Sequence, residues 1–386
     1  MINIWLLTNM PSFHQIEFFN AIGHSERVNL SVRFTYPGYR GSVWKSEGAA
    51  FEHRVLFGVG PQTAHMSFKL CPRAIWEVLF ARYDFYVLSG GYLDPTFLVC
   101  ACLLWLCRKR WGFWGEAPWP ERWRATWVEY RTAKSAVARK VRCVLLSVLT
   151  RMATRVFCVG TVAMNEYRKY GAREKQLAFL PYTCDVERYQ SVDPAEVRKV
   201  REKHDLDGKT VYLFSGRMIY GKGVDLLLDA FLKLAQTRSD VALLLLGDGP
   251  LRQELEESVL ESIRDRVHFL GHLSQSELPA CFNAADVFAF PSRYDGWGMV
   301  LNEACGTGLP VITTKRVGAG EDLVVEGENG FIIPIDDAKA LFEKMRFFAE
   351  NKDRIRAFGD RSRELIARLT PEKGAELLLD AIEEKG

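Results

Sequence analysis

Two carboxylates eight positions apart, Asp295 and Glu303, bracket the stretch Asp295-Gly296-Trp297-Gly298-Met299-Val300-Leu301-Asn302-Glu303. An acid just after the strand-like run Val287 to Pro291, a Gly-x-Gly turn and a helix with a second acid suit an anionic, polyhydroxylated ligand. Glycines let backbone N–H groups come close, and a helix N-terminus favours phosphate. Carboxylates accept hydrogen bonds from hydroxyls, which a plain phosphate site does not need. Sugar nucleotides present both kinds of group.

A complementary segment lies upstream. Val211-Tyr212-Leu213-Phe214-Ser215 reads as a buried strand that breaks at Gly216, with Arg217 next and Lys222 set between Gly221 and Gly223. An apolar-periodic helix follows through Leu226, Leu227, Ala230 and Leu234. Two cations where a strand feeds a helix can neutralise a diphosphate, Arg as a planar fork and Lys as a point charge. Either segment alone could be a solvated surface loop. Both, in order, within alternating strands and helices, argue for a site.

At these residues the chain resembles the retaining nucleotide-sugar glycosyltransferases of the GT-B fold, glycosyltransferase family four. The resemblance rests on Ser215-Gly216-Arg217…Lys222-Gly223, Leu246-Gly247-Asp248-Gly249-Pro250, Phe269-Leu270-Gly271 and Pro291-Ser292…Gly296-Trp297-Gly298…Asn302-Glu303-Ala304. Gly308-Leu309-Pro310-Val311-Ile312 and Glu328-Asn329-Gly330-Phe331 extend it. It is specific from about Val211 to Ile335 and diffuse before that. The family's usual first glutamate is Asp295 here, one methylene shorter.

The resemblance implies an α/β GT-B fold, two Rossmann-like doubly wound domains facing an interdomain cleft. Arg217 and Lys222 would stabilise the departing diphosphate, Glu303 would hold ribose hydroxyls, and Asp295 would hold a hydroxyl of the transferred sugar. Gly216 and the backbone of Gly296, Trp297, Gly298, Met299 and Val300 would complete the donor site. Retention at the anomeric carbon and no required metal or other cofactor are further implications. The pair Asp205 and Asp207 sits in a polar turn where this fold would not place a metal.

The acceptor side is harder to read. Asn9-Met10-Pro11-Ser12 stands where relatives often have a glycine-rich loop. His14 either faces the cleft or is an ordinary helix histidine, and Ser89-Gly90-Gly91 ends a strand that could line the acceptor. Trp114-Gly115-Glu116 falls where many relatives carry a histidine; Glu116 could bind acceptor, move a proton, or be a solvated loop acid.

A chain of 386 residues exceeds one compact core. Its 48% hydrophobic and 26% charged content is ordinary for a soluble globular protein. Nine scattered cysteines suit reduced thiols, and Met1 to Leu7 lacks the basic region and cleavage site of a secretory signal. The expectation is a cytoplasmic protein. Alternating elements place two domains at 1–184 and 185–365, with a linker near Pro181–Val192. The resemblance implies that the first binds acceptor, the second binds donor, and the final segment 366–386 returns to the first domain.

Residues 1–180 carry 24 Lys plus Arg against 12 Asp plus Glu, whereas the remainder carries 27 against 36. Only the first half therefore favours an anionic surface. The run Thr96 to Cys107 is apolar but shorter than the roughly 20 residues that cross a bilayer. Arg108-Lys109-Arg110 follows, and six of the ten tryptophans (Trp105, Trp111, Trp114, Trp119, Trp123, Trp127) cluster there. A helix from Arg131 to Met152 sets Val137, Val141, Val144, Leu145, Val148 and Met152 on one side, the ordinary sheet-facing side of such a helix. Charge and tryptophans point to the inner face of an anionic membrane. No nucleic-acid motif is visible.

The expected function is sugar transfer from a nucleotide-diphosphate sugar to a lipid-linked or glycan acceptor, in polysaccharide assembly. Two rivals use the same residues: a sugar-nucleotide epimerase, and a non-catalytic sugar-nucleotide-binding scaffold.

Overall fold

The computed structural model describes residues 1–36, 48–60, 69–118 and 136–384. Trp119, Trp123, Trp127 and Arg131 lie outside the described residues. Of these described residues, those up to 183 together with 371–384 form one compact unit, and 184–370 form a second.

The first unit is built on seven parallel strands: β1 (Ile2–Thr8), β2 (Val28–Phe34), β3 (Glu52–Val55), β4 (Phe85–Ser89), β5 (Trp111–Gly115), β6 (Arg155–Cys158) and β7 (Leu177–Phe179). Their order is β3-β2-β1-β4-β5-β6-β7, so the winding reverses between β1 and β4. Central strands covered by helices on both faces read as continuous apolar runs, as in the buried Ile4 to Leu7 and Phe85 to Leu88. On one face, helices Pro72–Phe80, Pro95–Leu106, Ala136–Met152 and Gly160–Lys169 pack Val78, Leu104, Leu149 and Tyr167 over Trp5, Leu88 and Trp111. Asp94 starts the second of these by accepting from the Thr96 N–H at 2.8 Å, with Pro95 at the first helical position.

Helices Phe13–Gly23 and Pro371–Glu383 pack together in this unit. Three guanidinium groups hold the end of the latter. Arg110 donates to the Ile382 carbonyl at 2.6 Å, Arg155 to the Glu384 carbonyl at 2.7 Å, and Arg27 to the Glu383 carboxylate at 2.5 Å. Orphan carbonyls and the negative end of the dipole both favour cations there.

The second unit has six parallel strands: β8 (Thr210–Ser215), β9 (Val241–Leu246), β10 (Val267–Gly271), β11 (Val287–Phe290), β12 (Val311–Thr314) and β13 (Gly330–Ile333). The order β10-β9-β8-β11-β12-β13 reverses between β8 and β11. In open α/β sheets ligands bind at such reversals, beyond the strand carboxyl ends.

The helix Ala136–Met152 differs from the sequence expectation. It turns Val141, Val144 and Val148 to solvent, at 61%, 56% and 43% exposure, and packs Leu146, Leu149 and Ala153 inward. Those three positions fall on one helical face, i, i+3 and i+7, and fill the sheet-facing layer instead. The segment expected as a linker holds a helix, Val186–Gln190, capped by Asp185 and anchored by the buried Tyr189.

A buried ion pair lies under the first sheet. Arg33 and Glu77, each with a side chain 4% exposed, meet at 2.7 Å, and Glu77 also accepts from Trp5 Nε1 at 2.8 Å and Arg73 at 3.0 Å. Burial alone would raise the Glu77 carboxyl, but hydrogen bonds from Trp5, Arg33 and Arg73 offset it and hold the group below its ordinary range. A depressed carboxyl stabilises above its unfolded value of about 4.3 and loses that contribution as pH falls. Glu77→Ala, which leaves the buried Arg33 with only the exposed Glu52 as counter-ion, is expected to cost about 3 kcal/mol near neutrality. Urea unfolding should show that penalty shrinking as pH drops below 4.3; an unchanged midpoint at neutral pH would mean the pair contributes nothing.

Candidate functional site

The carboxyl ends of β8 and β11 are drawn together by one carbonyl. Gly221, in the turn Tyr220–Lys222, accepts from the Arg293 N–H at 3.0 Å and the Tyr294 N–H at 3.3 Å, and the Ser292 hydroxyl lies 3.0 Å away. The backbone must then turn sharply into helix Val224–Thr237. Gly223 does so with φ +70°, and a Cβ there would lie 2.1 Å from the Pro291 carbonyl oxygen.

Lys222 consequently reaches over to the loop after β11. Its Nζ lies 2.5 Å from Asp295 Oδ2, with both side chains about four-fifths buried. The structure thus brings together the cation and the acid that the sequence singled out separately. Arg217 is exposed at the end of β8; next to it, the Met218 N–H donates to the Asp248 carbonyl at 2.9 Å.

The glycine-rich stretch is fixed from below. The Asp295 N–H donates to the Arg316 carbonyl at 3.0 Å, and the Ala319 N–H to the Trp297 carbonyl at 2.7 Å. Trp297 is buried, and its Nε1 donates to Asn302 Oδ1 at 2.9 Å. Its ring is therefore core, and only its backbone can serve a ligand. Gly298, at φ +92°, opens helix Met299–Thr307, and a Cβ there would lie 2.5 Å from Val317 Cγ1. The N–H groups of Met299 and Val300, in the first turn, precede the first intrahelical acceptors. Gly296 is buried, whereas Met299 and Val300 are half-buried.

Glu303 is buried one turn further along, against Tyr189. Burial, and then the Glu303 carboxylate, raise the Tyr189 phenol well above its ordinary value, so Tyr189 stays neutral. Gly216 follows β8 directly, half-buried.

Arg293 is the residue that sequence reasoning missed. Its guanidinium is buried, donates to both oxygens of Asp225 at 2.7 and 2.8 Å and to Asp336 at 2.5 Å, and stacks 3.6 Å from the Tyr220 ring centroid. Burial opposes its charge, but Asp225 and then Asp336 overcome this and hold its proton more tightly than usual. Arg293 thereby clamps the turn that carries Lys222. The available signal was a lone arginine directly after the apolar and small-residue run ending at Ser292.

In the first unit, His14, Gly90 and Glu116 follow β1, β4 and β5, which are neighbours in that sheet. His14 is half-buried, with Nδ1 4.0 Å from Glu17. Gly90 is exposed beside Asn9, and the exposed Glu116 offers its carbonyl to the Tyr167 hydroxyl at 3.1 Å.

Comparison with known proteins bears on both units. The sequence model of the family described as glycosyl transferases group 1 matches residues 196–365. Mannosylfructose-phosphate synthase of Agrobacterium fabrum is 32% identical over 158 residues, 39% of this chain and 35% of that protein. The lipopolysaccharide core biosynthesis mannosyltransferase LpsB of Rhizobium meliloti is 35% identical over 150 residues, 37% and 42% of the two chains. The chain thus spans well under two thirds of the length of these relatives. Among solved structures, HepE of Anabaena in complex with UDP superposes with TM-score 0.76 at 19% identity, covering 100% of each chain. WaaG, a glycosyltransferase involved in lipopolysaccharide biosynthesis, gives 0.64 at 18% identity, also over 100% of each. These likenesses show the GT-B fold.

The Arg293 clamp and the Arg217 surface cation differ in what they support. Arg293→Met, which strands two carboxylates, is expected to cost about 3 kcal/mol. Arg217→Ala should stay within about 1 kcal/mol. Equal effects of the two variants in urea unfolding would remove the clamp.

Proposed function

We propose, from the match of residues 196–365 to the model of glycosyl transferases group 1, a retaining transfer of sugar from a nucleotide-diphosphate sugar to a lipid-linked or glycan acceptor. The setting is polysaccharide assembly at the cytoplasmic face of an anionic membrane. The observation that carries the reading is the Lys222–Asp295 pair at the reversal between β8 and β11. A cation and a hydroxyl-accepting acid lie in contact where this sheet takes its ligands.

Lys222 and Arg217 take the diphosphate, together with the N–H groups from Gly296 to Val300 at the positive end of helix Met299–Thr307. As phosphate draws the ammonium, the Asp295 carboxylate is released from its partner and holds a hydroxyl of the donor sugar. Glu303, buried beside the neutral Tyr189, holds the ribose hydroxyls. The anomeric C–O bond then breaks with its electron pair going to the diphosphate, whose developing charge these groups stabilise. An acceptor hydroxyl forms the new bond and passes its proton to the departing diphosphate. His14, Gly90 and Glu116 are proposed for the acceptor. Since protein cations supply the positive charge, no metal is required.

Several likenesses support this reading. Structures of the neighbour HepE hold UDP, UDP with glucose, and UDP-glucose. Relatives include GDP-mannose-dependent phosphatidylinositol monomannoside mannosyltransferases. Among the described residues, no helix is long and apolar enough to cross a membrane.

A panel of nucleotide sugars tests the donor site. A true donor at 100 times its Kd should add about 2.7 kcal/mol of stability, read as a rise in melting temperature. Lys222→Ala is expected to lower transfer at least ~10-fold, about 1.4 kcal/mol of transition-state stabilisation, and EDTA should leave the wild-type rate unchanged. A donor that binds but is never turned over with any membrane extract would favour the scaffold; turnover without acceptor would favour the epimerase.

A further inference from the structure

In the first unit, three helices of one layer present large apolar side chains outward. Trp76 and Phe80 on Pro72–Phe80 are 53% and 67% exposed, and Trp105 and Leu106 on Pro95–Leu106 are 52% and 65% exposed. Val141 and Val144 on Ala136–Met152 are exposed as well. All three helices cover the same face of the sheet, because Val78, Leu104 and Leu149 enter one core cluster beneath them. The exposed residues therefore share the outer side of one layer. Scattered single apolar residues need no explanation, but a row across two adjacent helices, with further exposed valines on a third helix of the same layer, does.

The charge around this row has one sign. The three helices contain a single acidic residue, Glu77, and it is buried on Arg33. Cations stand at the margins: Arg73, whose guanidinium lies 5.8 Å from the Trp76 ring centroid, Arg82, Arg108 and Lys140, all exposed. Arg108 turns directly off the helix end, its N–H donating to the Trp105 carbonyl at 3.0 Å. The nearest exposed acid along the chain, Asp84, is bonded to Asn3 at 2.7 Å.

Tryptophan, phenylalanine and leucine beside arginine and lysine are the groups that settle at the boundary between headgroups and acyl chains. We infer that the outer surface of helices Pro72–Phe80, Pro95–Leu106 and Ala136–Met152 docks onto the surface of an anionic lipid bilayer, with the aromatic and leucine side chains inserted. This deepens the membrane setting proposed above and rests on it. A second protein would be expected to offer acids to the cations; a bilayer supplies phosphates and an apolar layer together. The contact should weaken as salt screens the charges, over a length of about 8 Å at physiological ionic strength.

The test uses the full chain and vesicles of phosphatidylglycerol mixed with phosphatidylcholine, compared with phosphatidylcholine alone. Wild type should sediment with the anionic vesicles at least 10-fold more strongly than with neutral ones. A variant with Trp76→Ser, Phe80→Ser, Trp105→Ser and Leu106→Ser should lose at least 10-fold in vesicle binding, and one with Arg82→Glu, Arg108→Glu and Lys140→Glu should lose the preference for anionic lipid. All seven positions are exposed, so melting temperature and its rise with donor should be unchanged in both. Wild-type binding that neither variant reduces, or no wild-type binding, overturns the surface. So does a dimer in lipid-free buffer that the serine variant abolishes, which would assign the face to a second copy. Vesicle binding without transfer in any protein would instead count against the proposed activity and leave the surface standing.

Discussion

The carbonyl oxygen of Pro291 stands where a side chain on Gly223 would begin, and the rest of the arrangement at the carboxyl ends of β8 and β11 follows from that approach. With no Cβ in the way, the turn Tyr220–Lys222 can lie against the loop leaving β11, and three donors from residues 292–294 converge on the Gly221 carbonyl. Strands β8 and β11 are neighbours only because the winding reverses between them. Two segments about 70 residues apart in sequence thus put an ammonium and a carboxylate in contact.

Two cations near this turn behave differently because their surroundings differ. Arg293 is almost fully buried and satisfied by Asp225 and Asp336, so its charge is committed to structure. Lys222 keeps about a fifth of its side chain in solvent and has Asp295 as its counter-ion. A second anion can compete for such a lysine at modest cost, whereas an arginine in a planar fork between two acids resists exchange. Rigidity and responsiveness are assigned to separate residues.

Much of this was legible from sequence where one local pattern decides the outcome. The unbroken apolar runs of β8 and β9, Val211 to Phe214 and Val241 to Leu246, admit no other place than the centre of a sheet. Lys222 and Asp295, which the structure brings into contact, could be singled out because glycine spacing marks them. Edge strands were not: β3 reads Glu-His-Arg-Val and lies mostly in solvent, and β7 has three residues. Arg293 was not, since its burial depends on Asp225 and Asp336, 68 and 43 positions away. The helix Ala136–Met152 was misread for a related reason. Two rotations of its hydrophobic positions satisfy the same periodicity, and only the packing of Leu146 and Leu149 selects one.

The helix Pro371–Glu383 belongs to the first unit although it comes last in sequence, and its end is held by Arg27, Arg110 and Arg155. During synthesis, therefore, residues 184–370 can complete their own core while the earlier-made half still lacks its closing piece. Domains commonly mature in the order in which they emerge. Here that order is inverted: Phe18 waits for Gly374, made some 350 residues later, and the half that appears first is the last to be finished.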